Sequence, residues 1–182
     1  MKKLALAGLM AATLTGCSSQ EEPQVLNLYN WSEYMPQEVL DRFEEETGIQ
    51  VVYTTYDSNE AMYARLKLLD DSGQYDLALP STYYVNKMRK EGLLEKIDHE
   101  KLEGFEKLDP ELTNLDIDPD NQYSVPYLWG TTGLAYDAND VEGEEVTAWS
   151  DLWDEKYEGR VMLTNDMREV FHIGLRVLGY SG

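Results

Sequence analysis

The sequence holds a single cysteine and two histidines among its 182 residues. One thiol closes no internal disulfide, so the fold has no covalent staple of its own. His99 and His172 stand far apart in the chain, and no short metal-ligand spacing is present. Positive charge is scarce as well. Fifteen Lys and Arg face 35 Asp and Glu, for a formal net charge of -20. No basic stripe exists to hold nucleic acid, and the field of such a chain gathers cations instead. There is no phosphate-binding glycine loop. There is no G-x-S-x-G elbow either; the final Gly179-Tyr180-Ser181-Gly182 is one residue short of it. The apolar stretch from Leu4 to Leu14 is too short to cross a bilayer as a mature helix. Phe occurs three times, against 13 Tyr and four Trp. Tyr and Trp pack and hydrogen-bond at once, which suits the walls of a ligand site.

What is present begins with Lys2 and Lys3, followed by that apolar stretch and by Leu14-Thr15-Gly16-Cys17. This reads as a secretory signal peptide over residues 1–16. Its end resembles the bacterial lipoprotein box, cut before a cysteine that becomes lipid-modified. Cys17 is the lone cysteine, and residues 17–24 then form the lipidated Cys and a polar tether. Ordinary cleavage nearby, with a spare thiol, is the alternative. The expected location is periplasmic, with a lipid anchor in a membrane.

Beyond the tether the pattern alternates. Val25 to Tyr29 is expected to be a strand. Pro36 to Thr47 is expected to be a helix with Val39, Leu40 and Phe43 on one face, ended by Gly48. Ile49 to Tyr56 is a second strand, and Ser58 caps a helix from Asn59 to about Asp71. Tyr75 to Leu79 is a short buried strand stopped by Pro80, and a helix from Tyr84 to Lys90 follows. Such alternation predicts an α/β fold with a mostly parallel sheet. Residues from Asp98 to Gln122 read as loops with short helical turns. Tyr123 to Tyr136 reads as a broken strand, Trp149 to Trp153 as a short helix, Arg160 to Thr164 as another strand, and Asp166 to Leu178 as an amphipathic helix.

Ligands of open α/β sheets sit at the carboxyl ends of the strands. Three loops leave such ends. The first carries Trp31, Ser32, Glu33 and Tyr34. A Trp face attracts a cation, and carboxylate and phenol accept from an ammonium. A packed loop with a hydrophobic staple is the alternative. The second carries Ser81, Thr82, Tyr83 and Tyr84, where Ser81 or Thr82 also suits a helix N-cap. Tandem tyrosines admit ferric iron, though no His or carboxylate partners stand at matching places. The third carries Asp166 and Glu169, three apart at a helix N-terminus, where the dipole favours their ionised forms. The same spacing resembles a capping box. Acids are too common for a glycosidase-like pair to be singled out.

Several long segments, in order, resemble the family of bacterial periplasmic spermidine/putrescine-binding proteins. They are YNWSEYMPQEVLDRFEEETGIQVVY, YDLALPSTYYVNKMRKEGLLEKID, YSVPYLWGTTGLAYD, TAWSDLW and LTNDMREVFHIGLRVLGYSG. The resemblance implies a type II-like periplasmic solute-binding fold: two lobes with mostly parallel sheets and a hinge that closes over a polyamine. Residues 25–132 would be the first lobe and 133–182 the start of the second. It implies delivery of the polyamine to the permease of an ABC transporter, with no catalysis, no cofactor and no metal, by a monomer. Trp31 and Tyr34 would be ring walls on the ligand, with Ser32 and Glu33 as polar lining. Ser81 and Tyr83 would touch the ligand from the second loop. Asp166 and Glu169 would anchor its amines. The double tyrosine favours spermidine over putrescine. Family chains are longer, so the second lobe is expected to be incomplete, and a chain ending at Gly182 to bind polyamine weakly or not at all. A receptor for another cationic or metal solute, such as ferric iron, and an extracellular acid–base hydrolase are the alternatives.

Overall fold

The computed structural model describes residues 23–69, 73–141 and 146–180. The expected signal peptide, Cys17 and most of the tether lie outside the described residues.

The first half follows the predicted alternation. Strand β1 (Val25–Trp31) leads to helix α1 (Gln37–Thr47), strand β2 (Gln50–Tyr56), helix α2 (Asn59–Leu69), strand β3 (Leu77–Ala78) and helix α3 (Thr82–Lys90). All pairing is parallel, in the order β2-β1-β3. Val25 lies opposite Gln50 and Trp31 opposite Tyr56, while Tyr29 lies opposite Ala78. β1 is therefore the central strand. The chain leaves it on one side to build β2 and returns on the other to build β3. Leu28, Tyr29 and Asn30 are buried in succession, as a strand covered on both faces requires.

Local chemistry places the helix ends. Pro36 stands at the N-cap of α1 rather than inside it, with an extended backbone. Gly48 adopts φ +72°, a left-handed conformation that glycine enters without a Cβ penalty, and its N–H donates to the Glu44 carbonyl at 2.8 Å. Ser58 caps α2 as expected, its hydroxyl accepting from the Ala61 N–H at 3.2 Å.

The core is aromatic and thioether-rich. Tyr29, Tyr56, Met62, Tyr84 and Met88 form its buried centre, with Trp31, Tyr63, Leu66 and Tyr75 packed around it. Tyr29 stacks on Tyr75 at 4.3 Å and meets Tyr56 edge-on at 4.8 Å. Met62 and Met88, both fully buried, belong to the same cluster as these rings.

After α3 the chain forms short 3-10 turns before helix α4 (Met167–Val177). Trp149–Trp153, expected as a short helix, is one of these turns. Two expected strands are not formed. Tyr123 to Tyr136 and Arg160 to Thr164 have no ladder partner among the described residues. A β-branched or alternating pattern describes a side chain's surroundings, but a strand exists only when another backbone pairs with it. Pro126, lacking an N–H, further weakens the first. The third strand is also shorter than expected. Hydrogen bonds from the Asp76 N–H to the Asn27 carbonyl and from the Leu79 N–H to the Tyr29 carbonyl flank its two-residue ladder.

Candidate functional site

β1 and β2 end level with each other, at Trp31 and Tyr56, and β3 ends at Ala78, opposite Tyr29 and two residues short of them. The order β2-β1-β3 puts the switch in strand order at β1, the usual crevice for a ligand in an open α/β sheet.

Trp31 is fixed from several directions. Its indole N–H donates to the Leu79 carbonyl at 3.0 Å, and its backbone N–H donates to Asn30 Oδ1 at 2.7 Å. The Trp31 carbonyl accepts from the Tyr53 phenol at 3.1 Å. The Tyr56 phenol also donates to the Leu79 carbonyl, so both lone pairs of that oxygen are engaged. Burial holds the Tyr56 phenol well above the ordinary tyrosine range, which keeps it a donor. The Trp31 ring lies 4.8 Å from Tyr56 and 6.0 Å from Tyr34. Tyr34 is 44% exposed and forms the outer edge of this wall. Glu33, between them, is exposed and takes φ +63°, a left-handed conformation rare outside glycine. The Ser32 hydroxyl donates to Asp57 Oδ1 at 3.1 Å.

The second and third loops meet. Tyr83, in the first turn of α3, donates its phenol hydrogen to Asp166 Oδ2 at 2.8 Å. Asp166 is the N-cap of α4, its other oxygen accepting from the Glu169 N–H at 3.1 Å. The N-cap role and the bond to Tyr83 thus belong to the same side chain. Burial and then the hydrogen bond to Asp166 keep the Tyr83 phenol above its ordinary range. The Arg168 guanidinium lies 4.6 Å from the Tyr83 ring centre. Glu169 Oε2 accepts from the Thr132 hydroxyl at 3.1 Å. Ser81 stands at the N-cap position of α3, yet its side chain makes no capping bond there. It is bound instead to Asn59, which links it to Tyr83.

Ser81, Tyr83 and Asp166 therefore meet through hydrogen bonds, and Trp31 and Tyr34 meet as rings. Ser32 and Glu33 stay on the exposed loop between those rings, and Glu169 bonds to Thr132. A cleft of about 670 Å³ opens between α3 and α4, lined by Tyr83, Tyr84, Lys87, Arg168, Phe171 and His172 among others. It shares only Tyr83 with the residues chosen from sequence. Among the described residues no three His, Cys, Asp or Glu side chains group as a metal ligand set.

Four participants were missed from the sequence. Asp57 follows β2, a strand end passed over in favour of the other loops. Asn59 stands in the sequence only as the start of a helix. Thr132 and Tyr127 fall within the expected strand Tyr123 to Tyr136; the Tyr127 phenol donates to the Tyr34 carbonyl at 2.8 Å. The strand-end rule applied to β2 finds Asp57, but nothing in the sequence singles out the other three. Chemically, the arrangement offers ring faces from Trp31 and Tyr34 and carboxylate oxygens from Asp166, which suits an elongated cation with an apolar body.

Residues 38–182 match the family described as bacterial extracellular solute-binding protein. The spermidine/putrescine-binding periplasmic protein of Escherichia coli (strain K12) is 49% identical over 181 residues, which is 100% of this chain and 51% of that protein. The substrate-binding protein PotD of a spermidine/putrescine ABC transporter from Streptococcus pneumoniae superposes with a TM-score of 0.69 at 47% identity. That match covers 87% of this chain and 48% of the pneumococcal one. The TpPotD lipoprotein of Treponema pallidum superposes with a TM-score of 0.79 at 36% identity, over 87% of this chain and 49% of its own. The chain spans about half the length of the curated relatives it matches.

Proposed function

The chain belongs to the family of bacterial extracellular solute-binding proteins, and from that premise we propose that it captures a polyamine, spermidine before putrescine, for an ABC uptake transporter. One observation carries the reading. The Trp31–Tyr34 ring pair stands at the carboxyl end of β1, and Tyr83, in the helix that follows β3, bonds to Asp166. A polyamine is an apolar chain with ammonium groups along it. Rings stack on its methylenes and cationic centres, and carboxylates accept from its N–H groups.

In this reading residues 25–132 belong to the first lobe and residues from 133 to the second, with the ligand held where Tyr83 faces Asp166. Ser32, Glu33, Ser81 and Glu169 line the same space. The names of the relatives support a periplasmic location and a polyamine ligand. Cys17 carries a lipid that ties the protein to a membrane, and the permease receives the ligand there. The protein acts as a receptor, and binding involves no bond-making step.

The direct test is a calorimetric titration of spermidine, then putrescine, into the full-length mature protein. One-site binding with spermidine the tighter ligand is expected. No heat from the folded protein with either polyamine sinks the assignment.

A further inference from the structure

Asn59, the first residue of α2, is 0% exposed. Its side chain is used at both ends. Oδ1 accepts from the Ser81 backbone N–H at 3.0 Å. Only an oxygen can accept there, so the orientation of the amide is decided by chemistry. Nδ2 then donates to Ser81 Oγ at 3.0 Å and to Tyr83 Oη at 2.9 Å, and leans on Asp166 Oδ2 at 3.4 Å.

An amide nitrogen carries two hydrogens. One goes to Ser81 and the other lies between Tyr83 and Asp166. This sets the direction of each proton further along. Tyr83 Oη already accepts from Asn59, so its own hydrogen turns to Asp166 Oδ2, 2.8 Å away. Asp166 receives donors on both oxygens, from Tyr83 on one and the Glu169 N–H on the other. A carboxylate has about four lone-pair sites. Capacity remains on it for an ammonium, in an orientation already fixed before a ligand arrives.

Resting on the polyamine reading above, we infer that Asn59 is a positioning residue of the binding site. It holds Ser81, Tyr83 and, through Tyr83, the Asp166 carboxylate in the arrangement that receives a cationic amine, while touching no ligand itself. Full burial keeps Asn59 away from ligand and solvent. Its effect on binding therefore passes through Tyr83 and Asp166.

A double-mutant cycle in the full-length mature protein tests this. Asn59→Ala should weaken spermidine binding about tenfold in the wild-type background and less than about threefold in a Tyr83→Phe background. Equal losses in both backgrounds, or no loss in either, overturn the inference. If Asn59→Ala does not fold, Asn59→Asp replaces it. That change keeps the size and the acceptor for the Ser81 N–H while removing both donors. Weaker spermidine binding is then expected, and unchanged or tighter binding overturns the inference. A second measurement needs no ligand. By NMR, Tyr83→Phe should shift the Asn59 side-chain amide resonances and speed their exchange with solvent. Resonances that stay put overturn the positioning role even if spermidine binds. A wild type that binds no polyamine instead sinks the functional reading, and the amide resonances alone then decide the role of Asn59.

Discussion

Tyr83 and Asp166 are 83 positions apart in the chain, and the phenol of one donates to the carboxylate of the other at 2.8 Å. The contact joins the first turn of α3 to the cap of α4. Everything expected of the site in solution depends on how this pair and the ring wall at Trp31 respond to change.

Asp166 has two tasks that substitution separates. Asn is as good an N-cap as Asp, so Asp166→Asn should leave α4 in place and unfolding little changed. The same change removes a charged acceptor and should weaken polyamine binding by about 1 to 3 kcal/mol. Asp166→Ala should lose the cap as well, at a further cost of about 1 kcal/mol in stability. Paired urea unfolding and calorimetry on the two variants check this. Equal stability loss in both would mean that the cap is not what Asn preserves.

Trp31 can be dissected in the same manner. Trp31→Phe keeps a ring but abandons the donor to the Leu79 carbonyl, whereas Trp31→Ala removes both. Alanine should cost about 1 to 3 kcal/mol of spermidine affinity, from the lost ring face and its contacts. Phenylalanine should retain part of that affinity. The two titration curves, compared with thermal melting, distinguish a ligand wall from a purely structural ring. In the latter case melting falls and affinity among folded molecules does not.

Two phenols, buried Tyr56 and half-buried Tyr83, predict an alkaline limit. Tyr56 and Tyr83 are both held above the ordinary value of 10.0, by burial first and, for Tyr83, next by its bond to Asp166. Folded molecules then keep protons that the unfolded chain has released. Their contribution is intact below pH 10 and is lost as pH climbs above it. Stability measured by chemical denaturation should therefore decline above about pH 10, and less steeply in a Tyr56→Phe, Tyr83→Phe double variant. Identical slopes would remove these two groups from the account.

Much of the first half was legible because its signals are local. Pro36, Gly48 and Ser58 sit at helix ends for reasons each residue carries in its own backbone or hydroxyl. Two of the three candidate loops do follow strands of the sheet, β1 and β3, whereas Asp166 and Glu169 follow a segment that forms no strand among the described residues. Tyr123 to Tyr136 and Arg160 to Thr164 failed because pairing is a property of two segments, and their sequences describe only one. Asn59 was invisible for the opposite reason. A helix N-terminus is an ordinary place for asparagine, and its partners Ser81, Tyr83 and Asp166 lie 22 to 107 positions away.

The central strand also sets a limit on how this protein can change. Tyr29 and Trp31 are two positions apart in β1, so they project from the same face, one into the core and one to its rim beside the site. A single residue gained or lost within β1 would turn one or both of them to the far side of the sheet. Folding and recognition would fail together. In the polyamine reading, new ligand preferences would therefore arise by exchange of side chains in the loops beyond Trp31 and Leu79, while the length of the strand stays frozen.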